Sequence, residues 1–191
     1  MAFFAWLDDD SDITAILFHN PRRFNPLNKA TQNILRGPSE LSVAEREFLA
    51  AYVSGINACS FCFGAHRAVA EVYGVDEVML TQAVDDLQTA NVDPKMRPIL
   101  TLAHKLTTTP SQMTRADIDA ITDAGWREET AHDAVVITAL FNYYNRLLDG
   151  HGIKGNADKA ARSARFLPRF GYRIPWFVRW LERWRNRSAG R

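Results

Sequence analysis

The feature that most constrains the fold is the recurrence of helix start and stop signals along the chain. Ser42 stands three residues before Glu45, the spacing of a capping box, and Gly55 and Gly74 are placed to end two successive helices. The sequence contains no run of strict apolar–polar alternation, and no Asn-Gly or Asp-Gly pair lies between two such runs. We therefore predict an all-α protein.

The helix start and stop signals also predict where each helix lies, with an uncertainty of about two to four residues at each end. The longest is expected between Gly125 and Gly150, where apolar residues recur at helical spacing. The predicted helices cover 25–37, 42–54, 57–73, 76–87, 93–106, 114–125, 128–149, 157–166 and 175–187.

Length and composition predict one globular domain that covers residues 1–191. A chain of 191 residues can bury a core, and its 47% hydrophobic and 24% charged residues are ordinary for a globular protein. The net charge of +1 argues against a disordered chain and gives no support to a nucleic-acid partner. Two cysteines are too few to build a disulfide-based fold.

The cellular compartment decides how the two cysteines are interpreted. The longest nearly apolar stretch, 134–141, is far shorter than the roughly 20 residues that a membrane span needs. The apolar run 2–7 is followed by aspartates and preceded by no basic residue, unlike a signal peptide. We therefore expect a cytoplasmic protein, in which Cys59 and Cys62 serve catalysis or metal binding rather than a structural disulfide.

Cys59, Cys62 and His66 form the most informative cluster in the sequence. Spacings of three and four residues on a helix place the three side chains within an arc of roughly 60°. We expect both cysteines in the first turn of a helix, where free N–H groups and the helix dipole lower the pKa of a thiol. The thiolate is the reactive form, and a second thiol nearby can close a disulfide after the first sulfur is oxidised.

Three interpretations fit this cluster. The first is a redox dithiol. The second is a zinc or iron site formed by Cys59, Cys62 and His66, for which a fourth ligand and a second Cys-x-x-Cys are missing. The third is a pair of buried cysteines that pack as small apolar residues beside Phe61 and Phe63.

A longer pattern around the cluster resembles a known family. Glu47, eleven intervening residues, Cys59-Ser60-Phe61-Cys62 and then His66 resemble the signature of the alkylhydroperoxidase D family, within the carboxymuconolactone decarboxylase superfamily. The preceding helix opens with Leu-Ser-x-x-Glu-Arg-Glu, and the match covers about 41–73. A weaker resemblance to the peroxidase-related branch of the family continues through 114–153.

The resemblance implies a fold and an assembly. The fold is an all-α bundle of the alkylhydroperoxidase D type, with a redox core at about 41–153, and its protomers assemble into rings. We therefore expect a homo-oligomer, whether a dimer, a trimer or a hexamer. The dithiol argues against the lactone decarboxylase branch, whose chemistry does not call for one.

The resemblance also implies an activity, the reduction of hydroperoxides by a thiol peroxidase. In this family Cys62 would attack the hydroperoxide and Cys59 would resolve the sulfenic acid, which gives a redox-active Cys59–Cys62 disulfide. Glu47 and His66 would act as a proton relay. No bound cofactor is implied, and an external dithiol, such as a dihydrolipoyl protein, would restore the thiols.

The residues themselves are compatible with these roles. Attack requires a thiolate, an imidazole one helical turn away can take the proton and return it, and a carboxylate can orient the imidazole. A general thiol–disulfide oxidoreductase and a non-catalytic helical assembly protein with structural cysteines remain the alternatives. The family's characterised peroxidases carry a second histidine just before the attacking cysteine, where this chain has Phe61. That departure removes one candidate proton carrier and makes the site more apolar.

The C-terminal segment 162–191 is basic and rich in tryptophan. It contains nine arginines and one acid, Glu182, which gives a net charge of +8. Trp176, Trp180 and Trp184 recur every four residues and would form one stripe of a helix. We expect this stripe to dock on a neighbouring subunit, because Trp and Arg are preferred interface anchors. An anionic membrane surface is the second interpretation and nucleic acid the third.

Overall fold

The computed structural model describes residues 2–173, and within this range the prediction of an all-α fold is confirmed. One short 3-10 helix, Pro110–Gln112, accompanies the α-helices. The α-helices are α1 (Ile13–His19), α2 (Pro21–Arg36), α3 (Val43–Ile56), α4 (Ser60–Val72), α5 (Glu77–Asp85), α6 (Arg97–Thr108), α7 (Arg115–Asp123), α8 (Glu128–Gly150) and α9 (Ala157–Phe170).

Helix α3 is the centre of the bundle. Every residue from Arg46 to Ser54 is buried, as expected for a helix that is surrounded on all sides by other helices. The predicted capping box is present: the Glu45 backbone N–H donates to the Ser42 hydroxyl at 3.2 Å, and the Ser42 N–H donates to the Glu45 carboxylate at 2.7 Å. Helices α2, α4, α5, α6 and α8 all pack against α3, so whatever α3 carries is held rigidly.

A sharp turn joins α3 to α4 and positions the cysteines. Ala58 has φ 54°, in the left-handed region that a residue with a Cβ rarely adopts. The Cys59 N–H donates to the Ser54 carbonyl at 3.0 Å, and the Ala58 N–H donates to the Gly55 carbonyl at 2.8 Å. These two bonds fold the turn back onto the end of α3, and α4 therefore begins beside α3 rather than beyond it.

Three predicted helix ends differ from the observed ones by four residues, at the limit of the uncertainty given for them, and one helix was missed. Helix α1 was not predicted, and α2 begins at Pro21 because the Asn20 side chain caps it and Pro26 is accommodated inside it. Helix α6 begins at Arg97, after a turn rather than at 93–94. Helix α9 continues past the predicted end at 166 to Phe170.

Between residues 2 and 173, no helix has both the length and the apolar character needed to cross a bilayer.

The predicted helix 175–187 and its tryptophan stripe lie outside the described residues, so their docking on a neighbouring subunit stays a prediction.

Gly155 lies directly against the first turn of α4. Its N–H donates to the Ser60 hydroxyl at 3.1 Å, and a Cβ at this position would lie 2.7 Å from the Phe61 Cα and still closer to the Ser60 carbonyl oxygen. We expect Gly155→Ala to destabilise the protein by about 1–3 kcal/mol in urea unfolding, because backbone cannot move aside as a flexible side chain can. Gly64→Ala is the matched control.

The control distinguishes the close approach of Gly155 to α4 from the general effect of adding a methyl group to a glycine. A Cβ at Gly64 would meet only the Ala160 Cβ, at an ordinary 3.8 Å. Gly64→Ala is therefore expected to be neutral or to stabilise α4 by up to about 1 kcal/mol. Equal stabilities for the two variants would contradict the close approach of Gly155.

Candidate active site

Cys59 and Cys62 lie at the N-terminus of α4, and both are free, buried thiols. Cys59 is the N-cap, with extended backbone angles of φ −81° and ψ 94°, whereas Cys62 lies in the first turn. The expectation that both cysteines are helical is therefore wrong for Cys59, because α4 begins at Ser60 and not at 57 or 58. The shared helical face applies to Cys62 and His66 only.

The two thiols are electrostatically unequal. Cys62 donates a hydrogen bond to Cys59, and this bond lowers the pKa of Cys59 against the opposing effect of burial. The same bond raises the pKa of Cys62 well above its ordinary value, and burial adds to that effect. The hydrogen bond therefore favours a thiolate at Cys59 over a thiolate at Cys62.

Asp149, near the end of α8, acts on both thiols. Its negative charge raises the pKa of Cys59 and of Cys62, since a carboxylate disfavours a second anion beside it. Lys154 lies 3.7 Å from the Asp149 carboxylate, but its side chain is 64% exposed and compensates that charge only weakly. Sequence reasoning did not find Asp149, because nothing in the local pattern distinguishes it from other acids at helix ends.

We expect Asp149→Asn to lower the pKa of the dithiol, because the variant removes a nearby negative charge and keeps the side-chain shape. The measurement is the pH profile of alkylation of the reduced protein by iodoacetamide. Asp123→Asn, at an exposed position of α7, is the control and should leave the profile unchanged. A profile that is identical in all three proteins would remove Asp149 from the electrostatics of the site.

Glu47 and His66 are brought together by the packing of α3 against α4. The Glu47 side chain has no exposed surface, and its Oε2 lies 2.7 Å from the His66 Nδ1. Burial disfavours the charged form of Glu47, but His66 and Arg36 together outweigh burial and lower the pKa of the carboxyl. The Glu47 carboxylate is therefore ionised at neutral pH.

Two further residues hold the Glu47 carboxylate, and sequence reasoning missed both. Arg36, the last residue of α2, places its Nη2 2.5 Å from the Glu47 Oε1, and the Tyr172 hydroxyl donates to the same oxygen at 2.8 Å. Gly171, with φ 59°, turns the chain after α9, and the Tyr172 N–H donates to the Gln32 side chain at 2.7 Å. These contacts join positions far apart in the chain, and no local spacing predicts them.

The arrangement fixes the orientation of the imidazole. An ionised Glu47 accepts the proton on the His66 Nδ1, which leaves the Nε2 of a neutral ring as the basic nitrogen. Phe141 packs edge-on against the ring with centroids 4.5 Å apart. Among residues 2–173, the Nε2 has no hydrogen-bond partner. The ring can therefore exchange a proton on that side.

A cavity of about 420 Å³ lies between α1, α2, α4, α8 and α9. Its wall includes Cys62 and His66 but not Cys59. Phe61, which occupies the position of the family histidine, also lines this cavity. A small molecule in the cavity therefore contacts Cys62 and not Cys59.

Comparisons with known proteins show which solved structures the chain resembles. No family model matches the sequence, and a search of curated proteins likewise finds no match. A peroxidase-related protein from Ralstonia eutropha, described as an alkylhydroperoxidase AhpD core, has a similar structure, with a TM-score of 0.71, 25% identity and 80% of each chain covered. A peroxidase-related protein from a Silicibacter species gives 0.72, 26% and 78% of each chain.

The chain is similar in structure to AhpD-like proteins. A protein of unknown function from Agrobacterium tumefaciens, linked to antioxidant defence and AhpD in name only, gives a TM-score of 0.62 at 18% identity, over 74% of this chain and 95% of that one. At that identity the likeness concerns the fold alone. The resemblance seen in the sequence is thus confirmed by two neighbours whose alignments extend well beyond the segment that suggested it.

The metal-site interpretation has no geometric support in the described part of the chain. Within residues 2–173, no three side chains of His, Cys, Asp or Glu are close enough together to hold a metal ion. Cys59 and Cys62 contact each other, but His66 turns its Nδ1 to Glu47 and faces the cavity. The predicted four residues thus form two pairs, a dithiol and a carboxylate–imidazole pair.

Proposed function

We propose that this chain is a thiol peroxidase that reduces organic hydroperoxides with Cys62 as the attacking thiol and Cys59 as the resolving thiol. The observation that carries this proposal is the placement of Cys62 and His66 on the wall of one cavity, with Cys59 in contact with Cys62. A substrate in the cavity has access to one sulfur only, and the base and the resolving thiol are both adjacent to it.

The first step oxidises Cys62. The His66 Nε2 takes the thiol proton, and the Cys62 thiolate attacks the terminal oxygen of the hydroperoxide. The O–O bond breaks, the S–O bond forms, and the imidazolium returns the proton to the leaving alkoxide. The products are an alcohol and a sulfenic acid on Cys62.

The second step forms the disulfide. The Cys59 thiolate, whose pKa is lowered in the resting pair, attacks the Cys62 sulfur and displaces hydroxide, which leaves as water with the proton of Cys59. Two thiols are oxidised and one hydroperoxide is reduced to one alcohol and one water. An external dithiol, for which a dihydrolipoyl protein is our proposed class, reduces the Cys59–Cys62 disulfide and completes the cycle.

Glu47 is a positioning residue in this scheme. It touches neither sulfur, and its three donors keep it ionised, so it orients the His66 ring and stabilises the imidazolium that forms during attack. Arg36 and Tyr172 act through Glu47 in turn. The relay predicted from the family pattern therefore reduces to one proton carrier, His66, and its carboxylate support.

We also propose a cytoplasmic homo-oligomer of the ring type, in which the tryptophan stripe predicted at Trp176, Trp180 and Trp184 docks on a neighbouring subunit. The proposed dithiol chemistry requires a reducing compartment. Val72, 55% exposed, and Val78, 61% exposed, offer apolar surface at the junction of α4 and α5. Truncation after Arg173 is expected to reduce the number of chains per particle, calculated from the molecular mass in light scattering. An unchanged number of chains would contradict the docking role of the removed residues.

A general thiol–disulfide oxidoreductase is the second candidate, and Phe61 is the observation that favours it. Phe61 supplies no proton to the cavity, and Cys59 rather than Cys62 has the lowered pKa, as in dithiols that exchange with disulfides. A protein of this kind reacts with small disulfides and leaves hydroperoxides intact. The third alternative, an assembly protein with structural cysteines, reacts with neither.

The test uses the reduced full-length protein and one equivalent of cumene hydroperoxide. We expect the free-thiol count to fall from two to zero, the intact mass to fall by two hydrogens, and one cumyl alcohol to form per chain. Protein whose thiols have been alkylated is the control. Thiols that survive the hydroperoxide but exchange with a small aromatic disulfide would replace the peroxidase with the oxidoreductase, and thiols inert to both would overturn the two catalytic candidates.

A further inference from the structure

The cavity at Cys62 is much larger than the reacting group requires. Its volume of about 420 Å³ falls in the range of about 300–1,000 Å³ that holds small organic ligands, whereas a water molecule occupies about 30 Å³ in the liquid. Hydrogen peroxide, which is little larger than water, would leave most of the space unfilled. The cavity therefore fits a hydroperoxide that carries a substantial organic body.

The walls of the cavity are chiefly apolar. Phe61 and Phe141 lie beside Cys62 and His66, and Leu17, Phe166 and Leu167 continue the lining toward α1 and α9. Each methylene group that is buried in such a lining increases binding by about fourfold. An extended hydrocarbon body therefore gains more from this cavity than a compact polar one.

One polar group inside the lining lacks a partner. The Asn28 side-chain Nδ2 is buried and has no hydrogen-bond partner in the described structure, and Asn28 lines the cavity. A buried donor without an acceptor is costly and uncommon in native structures. A ligand that carries an oxygen acceptor along with its apolar body would satisfy this donor.

The charged side chains on the cavity lining are predominantly positive. Lys159, Arg162 and Arg173 line it together with a single carboxylate, that of Asp12. Lys159 is 5% exposed, and its ammonium donates to three backbone carbonyls, those of Asp9, Ser11 and Lys154. It forms no ion pair with a carboxylate of residues 2–173. The side chains of Asp8, Asp9 and Asp10 are nearby in sequence but do not line the cavity.

Two arginines on the cavity lining, Arg162 and Arg173, are exposed to solvent. Arg162 is 60% exposed and lies 3.6 Å from the Asp12 carboxylate, a partly exposed pair that is weak and open to exchange. Arg173 is exposed as well. A guanidinium binds a carboxylate through two parallel hydrogen bonds, and three cations against one acid leave a net attraction for an anion. The lining therefore offers one ligand both a thiol, at Cys62, and exposed cations, at Arg162 and Arg173.

We propose that the substrates of this site are amphipathic, anionic hydroperoxides, in which an extended hydrocarbon body joins the hydroperoxide at Cys62 to a carboxylate at Arg162 and Arg173. This inference rests on the proposed peroxidase function and narrows its substrate class. The chemistry is unchanged: the hydroperoxide gives up one oxygen to the dithiol and leaves as the hydroxy acid, with water as the second product.

The test compares linoleate hydroperoxide with its methyl ester, which has the same body and hydroperoxide but a neutral head. Both are mixed with the reduced full-length protein below the concentrations at which they aggregate, and the second-order rate of thiol loss is measured. We expect the acid to react roughly tenfold faster than the ester, through electrostatic attraction and carboxylate pairing. In the double variant Arg162→Gln, Arg173→Gln we expect the acid-to-ester ratio to fall to about two or less.

The control is Arg165→Gln, which removes one positive charge from the exposed face of α9 without touching the cavity. It should keep the wild-type ratio, because the effect depends on the two arginines at the cavity and not on net charge. Equal rates for acid and ester in a wild-type protein that still loses its thiols would overturn the substrate class and leave the peroxidase function in place. Intact thiols with both lipids and with cumene hydroperoxide would overturn the peroxidase function itself.

Discussion

Cys62→Ser is expected to abolish single-turnover consumption of cumene hydroperoxide, with a loss of at least about a thousandfold in rate. Cys62 is the thiol on the cavity wall, and no other sulfur in the described structure lines that cavity. Cys59→Ser is expected to keep the first step, to consume one equivalent once, and then to stop, because the sulfenic acid has no thiol to resolve it. The measurement is the remaining hydroperoxide, followed by its oxidation of ferrous ion.

The comparison between the two serine variants shows whether contact with the cavity or the lower pKa decides which thiol attacks the hydroperoxide. Cys59 has the lowered pKa, whereas Cys62 has the cavity and the imidazole. If acidity decided the reaction, Cys62→Ser would remain active and Cys59→Ser would be inert. That pattern would reverse the roles of the two cysteines. Serine changes each side chain by one atom, so both variants should fold, and their circular dichroism spectra provide the check.

Glu47→Gln is expected to lower the free energy of unfolding by about 3 kcal/mol at pH 7, because it leaves the Arg36 guanidinium, 10% exposed, without its carboxylate. The variant also removes the carboxylate that stabilises the imidazolium formed during attack. The pKa of the attacking thiol should therefore rise, and the pH profile of thiol oxidation should move to higher pH. Urea unfolding and the rate of thiol loss across pH measure the two effects. Glu129→Gln, at an exposed position of α8, is the control for the loss of one negative charge.

The pH dependence of this stability difference has a definite sign. The folded pKa of Glu47 lies below its unfolded value, so the carboxylate stabilises the folded state above the unfolded value, about 4.3, and the contribution disappears as the pH falls through the folded pKa. The gap between wild type and Glu47→Gln should therefore be full at pH 7 and should shrink in acid. A gap of the same size at neutral and strongly acid pH would show that Glu47 is not held as an anion.

The sequence predicted those parts of the fold that have local causes. The capping box at Ser42 and Glu45 and the glycines after α4 and α7 act within a few residues, so the helices that they bound were found. Helix α1 is only seven residues long, and its cap at Asp12 lies within a run of aspartates that carries no helical period. The α3–α4 turn depends on a left-handed Ala58, a conformation that its residue type does not predict.

The candidate site also combines residues that a local pattern indicates with contacts that depend on the packing of distant helices. Glu47, Cys59, Cys62 and His66 lie within two neighbouring helices, and a fixed spacing was sufficient to single them out. The Arg36 and Tyr172 contacts to Glu47 depend on how α2 and α9 pack, and no pattern in the sequence encodes that packing. The cavity is likewise a product of five helices. The candidate residues could therefore be selected from the sequence, whereas the contacts that hold the Glu47 carboxylate and the shape of the cavity could not.

The position of the first oxidised sulfur is the most direct measurement. Cys59→Ser protein is treated with one equivalent of cumene hydroperoxide in the presence of dimedone, and the adduct is located by tandem mass spectrometry. We predict one dimedone adduct per chain, on Cys62, and little or none on Cys59 of the Cys62→Ser protein under the same conditions. An adduct on Cys59 of the Cys62→Ser protein, with Cys62 unmodified in Cys59→Ser, would contradict the assignment of Cys62 as the thiol that meets the substrate.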